Sequence, residues 1–192
     1  MANLISVDKY KDIEGLTSTK EDARLEILVP SISQLVKTYC GNSIIDFFSS
    51  DKVEEFSIDW DTHLVQLTES PLISVSQVET RDDPTKAYEV VSSSSYYVDT
   101  RTDSVFYTKG GAYRNWPKGP GAVKVTYRAG YSACPADLEL AVADLITYYL
   151  KDEHKVRQTL SGATQQNPES SLRNNVAFPD HIKRVLDLYK NF

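Results

Sequence analysis

Three histidines, two cysteines and scattered serines and acids are the residues of this 192-residue chain that could do chemistry, and their spacing gives them little to do. His63, His154 and His181 stand far apart, with no H-E-x-x-H and no paired ligand spacing, so neither metal nor cofactor is expected. Cys40 and Cys134 form no C-x-x-C and read as reduced structural thiols. None of the many serines lies in a G-x-S-x-G setting. Asp59 and Asp61 flank Trp60; as paired carboxylates they could serve acid–base work, but on alternating strand positions they share one solvated face. The glycines between Lys109 and Ala122 lack a following Gly-Lys-Ser/Thr and a helix start, which makes them a hairpin tip and not a phosphate cradle. No catalytic residue is assigned, and the chain is not expected to be an enzyme.

The elements that carry these residues are clearer. Val123, Val125 and Tyr127 alternate with polar neighbours as in a half-buried strand, which Gly130 ends. Pro135 suits a first helical position and Asp137 the positive end of the helix dipole. Leu138, Ala141, Val142, Leu145, Ile146 and Tyr149 then form one apolar face of a long helix. An earlier helix spans about residues 18–40, with hydroxyls at Thr17 to Thr19 able to cap it, an apolar face of Leu25, Leu28, Ile32, Leu35, Val36 and Tyr39, and Gly41 as its left-handed stop. Pro30 predicts a kink near Glu26–Pro30 or two shorter helices. Between the helices, short β-prone runs from Val53 to Arg128, separated by polar turns, predict an antiparallel sheet.

Ser161 to Asn175 has few apolar groups and reads as a flexible loop. After it, Pro179 opens a short helix with Ile182, Val185, Leu186 and Tyr189 on one face, which either docks on a neighbour or folds back on its own subunit. The fold class is therefore α+β: a small helical scaffold with an antiparallel β insertion, one domain over 1–192 divided as 1–52, 53–130 and 131–192.

The formal charge of −6 argues against a dedicated nucleic-acid binder, and residues 54–103 hold eleven acids against three bases. No run approaches the length of a membrane span, and the start MANLISVDKYKD lacks the apolar core of a signal peptide, so synthesis in the cytosol is expected.

Three passages carry a resemblance: VTYRAGY with PADLELA after it (Val125 to Ala141), LTSTKEDARLEILVPSISQLVKTYCGNSI (Leu16 to Ile44) and LVQLTESPLISVSQVETR (Leu64 to Arg81). In this order they resemble the head–tail adaptor (connector, head completion) proteins of tailed bacteriophages and gene transfer agents. The resemblance implies a structural protein of the virion neck, made in the host cytoplasm. It implies a ring of copies, dodecameric to match the portal protein, that extends the DNA channel and receives a stopper or tail-completion protein, with DNA passing unbound and no membrane involved. Expected interface residues are Tyr113, Trp116, Phe178, Ile182, Leu186, Tyr189 and Phe192. Asp59, Asp61, Asp82 and Asp83 are candidates to face the channel, or else form an outer rim or a patch for a basic partner. A second class stays open: with Tyr96, Tyr97, Tyr107, Tyr113 and Trp116 in the β-rich block, a carbohydrate- or protein-binding module of a phage tail or cell surface.

Overall fold

Serine and glycine punctuation sets the first helix of the computed structural model, which describes residues 2–151, 157–160, 163–166 and 178–190. Helix α1 (Val7–Glu14) begins where the Ser6 hydroxyl accepts the Lys9 N–H at 3.1 Å and stops at Gly15, whose φ of 65° is left-handed. Helix α2 (Asp22–Cys40) runs unbroken through Pro30, so the two-helix alternative is not realised. Its buried stripe is Leu25, Val29, Ile32, Val36 and Cys40. Leu35, expected inside, is 39% exposed, because the packed stripe follows the 25-29-32-36-40 phase. Helix α3 (Ala136–Leu150) has Pro135 at its N-cap, one residue before the first helical position expected of it. Leu138, Ala141, Val142, Leu145 and Ile146 are buried as expected, while Tyr149 at the end of that face is half-buried. Helix α4 (Asp180–Leu186) follows Pro179 and continues as a 3-10 turn over Asp187–Tyr189.

Among the described residues ten strands complete the α+β fold: β1 (Lys52–Ile58), β2 (Leu64–Gln66), β3 (Leu72–Thr80), β4 (Glu89–Val90), β5 (Tyr96–Asp99), β6 (Ser104–Lys109), β7 (Ala112–Tyr113), β8 (Gly119–Ala129), β9 (Arg157–Leu160) and β10 (Ala163–Gln166). Within the expected loop over 161–175, residues 163–166 pair with β9 as a hairpin; the rest lies outside the described residues.

The chain divides into two compact units, one of Met1–Cys40 with Ala133–Lys190, the other of Gly41–Ser132. In the helical unit α1, α3 and α4 pack on α2, and α3 packs also on α1 and α4. Buried polar groups there are matched: Tyr10 shares a 2.9 Å hydrogen bond with Thr147, Lys37 Nζ donates to the Ala2 carbonyl at 2.7 Å, and Ser33 accepts the Leu4 N–H at 3.1 Å. Ile182 and Leu186 of α4 are 1% and 0% exposed.

The second unit holds two antiparallel sheets, a larger one ordered β1-β8-β3-β4 and a smaller one ordered β2-β6-β5 with β7 on β6. Between them lies a core that includes Val65, Val78, Val105, Trp116, Val123 and Val125. At the end of β8, Gly130 has φ 100° and no room for a side chain, since a Cβ would collide with the Ile44 carbonyl. That carbonyl instead accepts the Tyr131 N–H at 2.8 Å.

Candidate interaction surface

Two-residue alternation in the small sheet sends alternate side chains to opposite faces. Register places Leu64 and Tyr97 on either side of Phe106, one cross-strand row, and Val65 and Val98 on either side of Val105, the next. The valine row belongs to the core. The aromatic row faces away from it.

The hairpin from β6 to β7 extends that outward face. Gly110 and Gly111, with φ of 61° and 81°, supply the two left-handed residues of a tight two-residue turn and bring Tyr113 opposite Thr108. Tyr113 then lies 4.7 Å, ring centre to ring centre, from His63 and 5.6 Å from Phe106, while Tyr97 lies 6.2 Å from Phe106. Tyr97 is 54% exposed and Tyr113 63%. Lys109 and Arg114, on the same hairpin, are exposed and form no ion pair among the described residues. The result is an aromatic surface rimmed by two uncompensated cations, the composition of a protein-docking patch.

Trp116 does not join it. Expected beside Tyr113 in one docking loop, it is 2% exposed, stacks on Tyr107 at 4.6 Å and donates its backbone N–H to Thr62 at 2.8 Å. Its ring is core, and its indole N–H is the buried side-chain polar atom without a hydrogen-bond partner among the described residues. The C-terminal residues are also turned inward within the helical unit. Phe178 packs edge-on against Tyr39 at 5.1 Å, Ile182 and Leu186 are buried, and the half-buried Tyr189 donates to Asp137 at 2.6 Å. The helix folds back on its own subunit because its apolar face finds α2 and α3. Phe192 lies outside the described residues. Leu188, 76% exposed, is the apolar residue that α4's continuation leaves in solvent.

The four candidate acids occupy two separate loops. Asp59 and Asp61 follow β1 and are not on a strand, so the shared strand face expected of them does not exist; Asp61 pairs with Lys118 at 3.0 Å. Beside them a groove of about 590 Å³ is lined by Ser57 to Trp60 and Lys118 to Pro120. Asp82 and Asp83 follow β3. Asp83 accepts the Thr85 N–H at 2.9 Å and its hydroxyl at 2.8 Å, bonds that hold its carboxyl below the usual range.

The densest charged cluster was not signalled by any motif. Lys52 Nζ lies 2.9 Å from Glu69 and 3.2 Å from Glu54, and Glu69 also accepts the Ser43 N–H at 2.8 Å and hydroxyl at 2.7 Å. Burial pushes the Glu54 carboxyl up, but hydrogen bonds from Thr68 and Tyr127, with Lys52 nearby, outweigh it and leave the group below its ordinary range. Two carboxylates whose oxygens are this fully used position β1, β8 and the chain before β3; they offer no free acid or base. Burial likewise pushes Cys40 up to about 11 and Cys134 up to about 12, which makes both poor nucleophiles. Among the described residues no group of three His, Cys, Asp or Glu could hold a metal, and no helix is long and apolar enough to cross a membrane.

The sequence model of the head completion protein family matches residues 3–192. The head completion protein of Escherichia phage T5 is 23% identical over 193 residues, covering 97% of this chain and 98% of that one. Among solved structures, a chain in the neck of an empty gene transfer agent particle, computed with C6 symmetry, superposes with a TM-score of 0.63 at 16% identity, covering 98% of this chain and 90% of that one. A chain in the neck of a native particle, computed with C12 symmetry, gives 0.60 at 15% identity, covering 100% and 96%.

Proposed function

The chain belongs to the head completion protein family, and from that footing we propose that it is a structural adaptor of the virion neck. Copies form a closed ring, twelve to match the portal protein, seated beneath it. The ring extends the DNA channel and receives the stopper or tail-completion protein on its far side. The observation that carries the reading is the shared fold over nearly the whole chain with neck chains of particles computed with sixfold and twelvefold symmetry. A ring of identical subunits needs two different complementary surfaces on each, and an exposed aromatic sheet face is one such surface. The role is structural, without catalysis.

DNA passes this ring without being held. The exposed Asp59 and Asp61 face the channel and repel phosphates, Asp59 the more strongly because Lys118 offsets Asp61, and a chain of net charge −6 has little to gain from counterion release on duplex. Imaging of neck-bearing particles assembled with the full-length chain tests the reading: a ring of it between portal and tail is expected, and a neck lacking it overturns the role. Asp59→Asn with Asp61→Asn should impair DNA retention while particle yield holds; normal retention moves these acids to the outer rim.

A further inference from the structure

We propose that the aromatic face of the small sheet in one subunit seats on the β4 edge of the next copy of this chain in the ring. This inference rests on the ring reading and names the surfaces that close it.

Two patches of the sheet unit are unfinished in complementary ways. The first is the outward face of β5, β6 and β7, where Tyr97 and Tyr113 are 54% and 63% exposed beside the unpaired cations Lys109 and Arg114. At its margin Arg101 pairs with Asp99 at 3.3 Å and the pair is internally neutral. The second patch is β4. Among the described residues this two-residue strand pairs only with β3, and Val90 on it is 66% exposed. Around Val90 the charge is negative: Asp82, Asp83 and Glu89 stand against Lys86, since Arg81 is occupied with the Gly121 carbonyl at 2.9 Å and with Glu55. Asp82 and Glu89 form no ion pair among the described residues.

Charge decides how the patches pair. Aromatic face against aromatic face, about a twofold axis, would crowd Lys109 and Arg114 of one copy against those of the other. Aromatic face against β4 sets cations on carboxylates and lays Val90 on the rings of Tyr97, Phe106 and Tyr113. The patches belong to different sheets, so one copy can offer both at once. That is the requirement of a head-to-tail contact that closes on itself.

The test uses particles assembled with the full-length chain carrying Cys134→Ser, Val90→Cys and Tyr113→Cys, treated with a short bismaleimide. A ladder of covalent multimers is expected from the double-cysteine chain, and monomer alone from either single-cysteine chain. Adding Lys109→Glu with Arg114→Glu should weaken the ladder at least tenfold, and adding Asp82→Lys with Glu89→Lys to that chain should restore it. Dimers from the Tyr113→Cys chain alone, or a crosslink to a different neck protein, overturn the proposal. So does a visible ring that yields no ladder, which leaves the ring reading standing. A neck without any ring of this chain removes both.

Discussion

The Tyr127 hydroxyl donates a 2.8 Å hydrogen bond to Glu54 from the neighbouring strand and accepts the Glu69 backbone N–H at 3.3 Å. One phenol thus ties β1, β8 and the chain entering β3 together. Its own titration is pushed upward by burial and by the Glu54 charge.

Tyr127→Phe removes one donor to a half-buried carboxylate and should cost about 2 kcal/mol at neutral pH. Glu54 titrates below its ordinary value in the folded chain, so its contribution is present above the ordinary carboxylate range and is lost as pH falls through the depressed value. Without Tyr127 that value rises, and acid unfolding should begin at higher pH. Thermal melts between pH 3 and pH 7, at roughly the carboxylate range and above it, check this; an unchanged acid limb would contradict it.

Gly130→Ala should cost about 2–4 kcal/mol, combining a left-handed backbone with a collision against the Ile44 carbonyl. Gly110→Ala, left-handed but with nothing within 4 Å of its new Cβ, should cost about 1 kcal/mol. Urea titration of the two variants distinguishes steric exclusion from backbone preference alone.

Removing Phe178 to Phe192 should destabilise the helical unit, since Ile182 and Leu186 are buried in it and Cys40 donates weakly to the Leu186 carbonyl at 3.6 Å. Single Ile182→Ala or Leu186→Ala changes should each cost about 2–5 kcal/mol, and Leu188→Ala within about 0.5 kcal/mol. A truncated chain that melts like the intact one would show that the helix is dispensable to the subunit.

Trp116→Phe should be mild for a buried tryptophan, under about 2 kcal/mol, because the cavity it opens is offset by removing an indole N–H that has no partner. Trp116→Ala should cost about 3–5 kcal/mol. A Phe variant as unstable as the Ala variant would mean that the N–H is satisfied in solution.

What could be read from the residues was largely local. Gly41 and Gly130 mark real stops, Pro135 opens α3, and its apolar stripe is buried as its spacing implies. Helix α1 also had a local signal, Ser6 before Val7 and Gly15 after Glu14, but eight residues give too short a period to stand out. The aromatic surface was legible only in part: of the five aromatics read as a binding face, Tyr97 and Tyr113 lie on it while Tyr96, Tyr107 and Trp116 pack into the core, and His63 and Phe106 join them only through strand pairing between distant segments. Nor could sequence part Tyr113 from Trp116. Which side of a sheet an aromatic takes depends on the Gly110-Gly111 turn and on the backbone bond to Thr62, both of which fix it after the chain has folded.

The two units differ in how the ribosome delivers them. The sheet unit, Gly41–Ser132, is one uninterrupted stretch and is complete as soon as β8 has emerged. The helical unit is assembled from both ends of the chain, so α1 and α2 appear first and wait with Tyr10, Leu25, Val29 and Val36 uncovered until α3 and α4 have been made. A chain halted before Asp180 should leave uncovered the apolar faces of α2 and α3 on which α4 packs, and surface of that kind is what chaperones and aggregates take up.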